Sequence, residues 1–360
     1  MTARTTGGQV DEAAVAQFSM RVMGYNLSAT IAATIHVGVR LGLYAAMRGR
    51  GPLTATELAA ATGTHERFVL EWLRAQAAAE IVDYAGDDRF ALSDVQATVL
   101  TDESSLEYRA GQLRTFANRM GRLDGVTESF RTGIGLPGMS ADPAATDSLF
   151  AVFHRTMLVP VLLPALDGAV DKLRSGGSVA DVGCGNGIAL LEIAKAFPEA
   201  ELHGFDLWDE AIVQARAWAE EGGLDNVTFH VARAEDLPDD ERFDVICAFD
   251  CIHDMTKPAV ALAAIRRALR PDGTFLIGDL KGQPTFEENI AMNPIGAAAM
   301  YAVSVLSCLQ TSMSEPDGAG LGTLGFDEQT ARRMTADAGF TRFRTLDIDH
   351  LFNAFYEVRP

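Results

Sequence analysis

The second half of the chain alternates short apolar segments with segments of helical spacing. From Ser178 onward the apolar runs predict strands at 178–182, 201–206, 227–232, 243–249 and 273–279. The segments between them predict helices at about 187–197, 208–221 and 257–270. Such alternation is typical of an α/β fold, with a doubly wound sheet of parallel strands.

The end of the chain departs from this alternation. A predicted helix at about 327–338 leads to a strand at 341–348, and another strand follows almost directly at 352–358. Two strands this close cannot be joined by a crossover connection, so they must form a hairpin. We therefore expect a Rossmann-like sheet that ends with an antiparallel strand.

The first half of the chain has mainly helical patterns. The segment 11–47 is apolar on more than one face and needs two packing partners. We expect one partner to be its own domain and the other a second subunit, which predicts a homodimer. Polar residues interrupt the segment too often for a membrane helix, namely Arg21, Asn26, His36 and Arg40.

The pattern that follows is typical of a winged helix. Thr54 or Thr56 can cap a short helix that Gly63 ends, a second helix covers about 65–78, and a hairpin turns at 86–87. In the second helix two glutamates offset two arginines, whereas a helix that faces phosphates usually has excess positive charge. The pattern favours a structural or dimerising role over DNA binding.

The length of 360 residues fits two domains. The turn-rich stretch 131–147 is the natural place for a boundary. We expect a mainly helical winged-helix and dimerisation domain at 1–150 and a ligand-binding α/β domain at 151–360.

Composition and charge narrow the partners. The net charge of −19 repels phosphate backbones and disfavours a nucleic-acid partner. No uncharged apolar run of about 18 residues predicts a membrane span, and the first residues lack the apolar core of a signal peptide. The four cysteines form no CxxC pair, so we expect reduced thiols in a cytoplasmic protein without a metal site.

A glycine cluster follows the first strand of the α/β domain, in the sequence VADVGCGNGIALLEIAKAF from Val179 to Phe197. Its GxGxG pattern differs from the GxGxxG of dinucleotide folds, and it has no lysine of a phosphate loop. Asp181 just ahead of the glycines suits a ligand with an ammonium group better than a pyrophosphate. Asp206, at the end of the second strand, can accept both hydroxyls of a ribose.

Together, Asp-Val-Gly-Cys-Gly-Asn-Gly, the later Gly-Phe-Asp and the terminal hairpin resemble the class I S-adenosylmethionine-dependent methyltransferases, over about 178–360. With the winged helix, the chain is similar to O-methyltransferases of plants and of bacterial secondary metabolism, especially the actinobacterial type. The stretches AFDCIHDMTKP and EPDGAGLGT match that group. The resemblance implies S-adenosylmethionine as cofactor and a small aromatic or polyketide-like methyl acceptor. A cofactor-sensing transcriptional regulator on the same fold remains an alternative, as does use of the cofactor for hydroxylation or decarboxylation.

The resemblance also implies the residues that bind the cofactor. The methionine part would be held by the glycine loop and its neighbours, Asp181, Gly183, Gly185, Asn186 and Gly187. Asp206 would bind the ribose hydroxyls, with Leu207 beside the adenine. Phe249 and Asp250, which end the fourth strand, would face the sulfonium side.

One position departs from the family pattern. Many members have an acidic residue after the third strand that contacts the adenine amino group, and this chain has Arg233 there. A guanidinium cannot accept a hydrogen bond from an amino group. Ala234 can still offer its backbone N–H to the adenine ring.

The sequence also contains a candidate base. A protonated phenol is a poor nucleophile, and a histidine beside it has a pKa suited to removing its proton. His253 lies just past the fourth strand, at the sheet edge where ligands bind. In the resembled O-methyltransferases the histidine of the HD[W] motif is the base; here the motif reads His253-Asp254-Met255. A buried or helix-capping role for His253 stays open, and for Asp254 a helix cap is favoured over a catalytic role.

The remaining features concern the acceptor. The segment 281–325 interrupts the sheet pattern and is rich in Met, Ala and Gly, which predicts a wall or lid over the acceptor. His36 and His154 lie on apolar helices that could line the acceptor pocket, although a packed core role is favoured for both.

Overall fold

The computed structural model describes residues 10–105, 107–138 and 152–360. Contacts divide the chain into two compact units between Ala117 and Asn118. The boundary predicted between residues 150 and 151 lies outside the described residues, so the proposed domain limits stay a prediction.

The apolar N-terminal segment forms two helices rather than one. Helix α1 spans Glu12–Arg40, and the Asp11 side chain caps it by accepting from two backbone N–H groups. Helix α2 spans Leu43–Met47. The helical pattern of segment 11–47 would allow a single helix, but Gly42 adopts a left-handed conformation, with φ of 67°, which separates the two helices.

The winged-helix prediction is confirmed element by element. Helix α3 spans Ala55–Thr62, and α4 spans Glu66–Ala78. Strands β1 and β2 form the wing, and α5 follows them; these elements span Asp83–Gly86, Arg89–Ala91 and Asp94–Thr101. Thr54, and not Thr56, is the cap of α3: its hydroxyl accepts from the Glu57 backbone while the Glu57 carboxylate accepts from the Thr54 backbone.

The C-terminal end of α1 packs closely on α4. Gly38 is the one buried residue of α1, and a Cβ built on it would lie 2.3 Å from the Trp72 ring. The Trp72 indole N–H donates to the Thr34 carbonyl at 2.8 Å. Glycine is therefore needed at position 38 for the two helices to approach this closely.

More helices precede the large sheet. Two α-helices span Ala110–Met120 and Leu123–Thr132. A π-helix at His154–Leu162 continues into short α-helices at Leu163–Ala165 and Ala169–Arg174. π-Helices are rare and often occur at functional sites.

The large sheet has seven strands in the order β5-β4-β3-β6-β7-β9-β8. Its first five strands in chain order are parallel, and their bounds are Ser178–Val182 (β3), Glu201–Asp206 (β4), Val227–Val231 (β5), Phe243–Phe249 (β6) and Leu269–Leu280 (β7). The connecting helices span Ile188–Ala196, Asp209–Glu221 and Pro258–Ala268. Two apolar cores cover the two faces of this sheet. The predicted doubly wound α/β domain is confirmed.

The terminal strands pair as a hairpin, with one difference from the prediction. Helix Glu328–Asp337 leads to β8 (Arg342–Thr345), and β9 (Asn353–Arg359) pairs antiparallel with both β8 and β7. The antiparallel strand therefore lies inside the sheet, and β8 forms its edge. The burial of the two strands explains this order, because β9 is mostly buried whereas β8 is mostly exposed.

The segment 281–325 contains three helices, Phe286–Met292, Pro294–Leu306 and Cys308–Ser312. Its C-terminal part returns to the sheet edge, where the Ala319 backbone N–H donates to the Thr256 carbonyl at 2.9 Å.

A polar network in the N-terminal unit gives a test of its packing. The Tyr44 hydroxyl donates to Gln76 Oε1 at 2.6 Å, and Gln76 Nε2 donates to Thr34 Oγ1 at 2.9 Å. Gln76→Leu leaves the buried Tyr44 hydroxyl without this partner, so the free energy of unfolding should fall by about 1–3 kcal/mol in chemical denaturation. Adding Tyr44→Phe should restore part of the loss; a double variant less stable than Gln76→Leu alone would contradict the role of the network.

Candidate active site

The glycine loop joins β3 to the helix Ile188–Ala196. Gly183, Gly185 and Gly187 have φ of 72°, 51° and 76°, a region that side chains disfavour. A Cβ on Gly187 would lie 2.4 Å from the Phe229 ring, and one on Gly183 would lie 2.7 Å from the Cys251 Cβ. Backbone conformation and close packing therefore both require glycine in this loop.

Asp206 joins this loop to the end of β4. Its Oδ2 accepts from the Gly185 backbone N–H at 2.8 Å, and its Oδ1 accepts from the Trp208 backbone N–H at 3.0 Å. Burial raises the pKa of the Asp206 carboxyl although these hydrogen bonds oppose the shift. The two sequence-predicted binding elements, loop and carboxylate, are thus in direct contact.

Asp181 is buried in β3 just before the loop. Burial raises the pKa of its carboxyl well above its ordinary value, and the nearby Asp206 adds to this. Its Oδ1 accepts no hydrogen bond from the described residues. A buried carboxylate oxygen without a donor is costly, so the site suits a ligand that brings an ammonium group.

Asp250, at the end of β6, has a strained backbone and a buried carboxyl group. Asp250 has φ of 49°, which is uncommon for a residue other than glycine, and the Asn353 side chain donates to it. Burial, with Asp279 next in effect, raises the pKa of Asp250 to about 7. Backbone strain of this kind often occurs at functional sites.

The candidate base lies in a short 3-10 helix, Ile252–Asp254, directly after β6. The His253 side chain is 2% exposed, and its Nδ1 lies 2.6 Å from Oδ1 of Asp279. Burial would lower the pKa of His253, but the carboxylates of Asp279 and Asp254 outweigh it and hold that pKa well above its usual range. The near-neutral pKa that the sequence suggests is therefore corrected upward.

Asp279 is a site residue that the sequence pattern did not indicate. This residue lies near the end of β7, and its position as the last residue of the strand predicted at 273–279 was the available signal. The β6–β7 pairing, which aligns Phe249 with Gly278, places it beside the 3-10 helix of His253. Asp279 thus holds the His253 ring in place.

The predicted helix-capping role of Asp254 is wrong. The helix Pro258–Ala268 has Lys257 at its N-cap, with no side-chain hydrogen bond. Asp254 instead faces the imidazole: its Oδ1 lies 3.3 Å from His253 Nε2. The rigid φ of Pro258 suits the first helical turn and makes a side-chain cap less necessary.

Arg233 makes ionic contacts at the predicted adenine position. Its Nη1 donates to Glu315 Oε1 at 2.9 Å, and its Nη2 donates to Thr256 Oγ1 at 3.2 Å. Ala234 begins a 3-10 helix, Ala234–Asp236, and Leu207 lies exposed just past β4. Arg233 therefore links the end of β5 to the segment 315–318, which has the sequence EPDG and is called the EPDG segment below.

Aromatic side chains surround the end of β6. The His154 ring packs edge-on against Phe249, with ring centroids 5.1 Å apart, and Phe153 stacks on Phe355 at 5.4 Å. Burial lowers the pKa of His154 to about 3, so its ring stays neutral. Its Nδ1 has no hydrogen-bond partner among the described residues. His154 is thus a buried core residue whose Nδ1 is available for a hydrogen bond.

Two arginines of the winged helix are paired with carboxylates. In α4, Arg67 pairs with Glu71 at 2.6 Å, and Arg74 pairs with Asp88 of the wing at 3.0 Å. Both arginines are thus partly neutralised by carboxylates, as the sequence suggested.

Comparison with known proteins accords with this geometry. The family described as "Methyltransferase domain" matches residues 173–339, and the family described as "Rv2258c-like winged HTH domain" matches residues 29–102. The mitomycin biosynthesis 6-O-methyltransferase of Streptomyces lavendulae is 29% identical over 69% of this chain and 73% of its own length. A ubiquinone biosynthesis O-methyltransferase of Neisseria meningitidis is 28% identical, over 35% of this chain and 52% of its own length.

Solved structures share the fold over nearly the whole chain. The mitomycin 7-O-methyltransferase MmcR has a TM-score of 0.68 at 24% identity, covering 97% of this chain and 99% of its own. Human N-acetylserotonin methyltransferase, in complex with S-adenosylmethionine, has a TM-score of 0.67 at 16% identity, covering 98% and 99%. This chain is an S-adenosylmethionine-dependent methyltransferase with an N-terminal winged-helix domain, as the resemblance implied. The orphaned Asp181 oxygen and the glycine loop fit the ammonium and methionine parts of this cofactor.

The loop gives a direct test of cofactor binding. Gly187→Ala should weaken S-adenosylhomocysteine binding in calorimetry by about 5- to 150-fold, because overpacking against Phe229 costs about 1–3 kcal/mol. Gly223→Ala is the matched control: Gly223 has φ of 62° but no atom within 4 Å of its built Cβ. Equal affinities for the two variants would show that the loop does not form the binding surface.

Proposed function

We propose that this enzyme transfers the methyl group of S-adenosylmethionine to an oxygen of a small aromatic or polyketide-like metabolite, with His253 as general base. The observation that carries the proposal is the buried His253–Asp279 pair at the sheet edge that also holds the glycine loop. The names of the mitomycin O-methyltransferases support oxygen as the accepting atom.

The side chains divide the work between binding and proton transfer. Asp181 and the glycine loop bind the amino-acid part of the cofactor, and Asp206 binds its ribose. When bound, the cofactor supplies an electrophilic methyl group on sulfur. His253 Nε2 takes the proton of the acceptor hydroxyl, while Asp279 keeps the ring oriented through Nδ1. Methyl transfer to the acceptor oxygen would leave S-adenosylhomocysteine in the site, with the acceptor's proton on His253.

The aromatic surroundings of β6 favour a flat, apolar acceptor. Phe153, His154 and Phe249 lie close together at the end of this strand. Aromatic rings prefer edge-to-face and offset contacts with other rings. The unpartnered Nδ1 of the neutral His154 can meet a polar group of that acceptor. The segment 281–325 remains our candidate for its outer wall.

The proposed role of His253 can be tested by the rate of the variant His253→Ala. His253→Ala should lower kcat by roughly 100- to 10,000-fold with little change in S-adenosylhomocysteine affinity. Because the neutral imidazole is the active form and its pKa is raised, the wild-type rate should rise as the pH increases from neutral toward that pKa. The deficit of the variant should shrink as the pH approaches the pKa of the acceptor, since a phenolate needs no base.

Asp206→Ala is the complementary variant. It should weaken cofactor affinity first, because it removes the carboxylate that holds Gly185 and that we place at the ribose.

Full activity of the other variant, His253→Ala, at neutral pH would show that alignment of the acceptor alone carries the reaction, without a base.

We also propose that α1 forms a homodimer interface. Outside its C-terminal end, the helix exposes a run of apolar side chains: Val15, Phe18, Met20, Val22, Met23, Tyr25 and Leu27. By length and composition α1 could cross a membrane, but Arg21 would lie near the middle of its unpacked part, at a cost of about 2.5–3.5 kcal/mol. A second copy of the helix can cover the apolar side chains and leave Arg21 in water, which fits a cytoplasmic dimer.

Light scattering tests the dimer. The wild type should have a dimer mass at micromolar concentration, and Phe18→Glu should yield monomers, because a charge would be buried in the interface. Phe68→Glu is the control, since Phe68 is also exposed but lies on α4. A monomeric wild type, or co-sedimentation of the wild type with lipid vesicles, would overturn the proposal.

A further inference from the structure

Three side chains with metal-binding atoms meet beside the candidate base. They are His253, Asp254 and Cys308, and one ligand atom from each lies within 4.8 Å of the other two. His253 and Cys308 are buried, and Asp254 is half-buried. Cys308 comes from the segment 281–325, at the start of the helix Cys308–Ser312.

One pair of these atoms has the spacing of neighbouring ligands around one ion, and the Cys308 sulfur lies within 4.8 Å of both. His253 Nε2 and Asp254 Oδ1 are 3.3 Å apart, yet Oδ1 accepts no hydrogen bond from the described residues. In tetrahedral zinc sites the bonds are about 2.0–2.3 Å, which places neighbouring ligand atoms roughly 3.3–3.6 Å apart. The 3.3 Å between His253 Nε2 and Asp254 Oδ1 falls within that range.

A fourth residue supports the imidazole as a ligand. Asp279 Oδ1 lies 2.6 Å from the other ring nitrogen, Nδ1. Metal-ligating histidines commonly donate their second N–H to a carboxylate, which fixes the ring and strengthens the ligand. With Asp279 on Nδ1, the other ring nitrogen, Nε2, lies beside Asp254 and Cys308.

We propose that His253 Nε2, Asp254 Oδ1 and Cys308 Sγ form a binding site for zinc or a similar thiophilic divalent cation. Nitrogen, oxygen and sulfur donors together select zinc over magnesium or calcium, which prefer oxygen alone. Three protein ligands leave one coordination position for water or another oxygen ligand. Binding releases the thiol proton of Cys308 and any proton on His253 Nε2.

The consequence for activity rests on the proposed function. A cation on Nε2 takes the lone pair that would accept the proton of the methyl acceptor. The loaded enzyme should therefore lose methyl transfer, and a chelator should restore it. Binding and inhibition are separate measurements, so failure of the base hypothesis leaves the metal test intact.

Cobalt is the direct probe. Metal-free full-length protein titrated with Co²⁺ should develop a near-ultraviolet thiolate-to-cobalt charge-transfer band that saturates at one equivalent, and Zn²⁺ should abolish it. Cys308→Ser should remove the band and weaken zinc affinity by at least about 100-fold, since loss of a ligand exceeds the 10- to 100-fold effect of supporting residues. Asp279→Asn should keep the band but lower affinity by about 10- to 100-fold.

A matched cysteine separates this site from the other thiols. Cys247→Ala changes a buried cysteine within β6 that is not one of the three ligands, and it should keep the band. Unchanged S-adenosylhomocysteine affinity of Cys308→Ser shows that this variant is folded. A wild type without the band, or a band that survives in Cys308→Ser, would overturn the site.

Discussion

Burial of carboxylates at one edge of the sheet is the constraint on which the site depends. Asp181, Asp206, Asp250 and Asp254 all have pKa values raised by removal from water. Carboxylates that are buried away from water need hydrogen-bond donors or cations to compensate for the lost hydration. Backbone N–H groups provide them for Asp206, and Asn353 provides one for Asp250. Asp181 and Asp254 each keep a buried oxygen without a donor among the described residues.

These two oxygens are the places where the proposed ligands would act. In our proposals the ammonium group of the cofactor would lie at Asp181, and an imidazolium or a divalent cation would lie at Asp254. The buried carboxylates also affect His253. Those of Asp279 and Asp254 raise its pKa despite burial, which makes the imidazole a stronger base. In the proposed mechanism, cofactor binding and proton transfer therefore both depend on the buried carboxylates.

Arg233 stands where the resemblance implies an acidic residue, and its contacts give it a different role in the structure. The positive charge of its guanidinium is offset by the carboxylates of Glu235 and Glu315, which pair with it. Its hydrogen bonds to Glu315 and Thr256 hold the EPDG segment against the β5 and β6 ends. That segment belongs to the same insertion that carries Cys308 to the base.

Local patterns in the sequence determined the α/β alternation, the winged helix, the glycine loop and Asp206, because each depends on periodicity or on residues that lie close together in the chain. Only the tertiary structure decided the rest. The insertion of β9 between β7 and β8, the approach of Asp279 to His253, the loss of a capping role for Asp254 and the meeting of Cys308 with His253 all depend on pairing and packing between distant segments. Sequence spacing carries no information on such contacts, since burial and strand register are set by the whole fold.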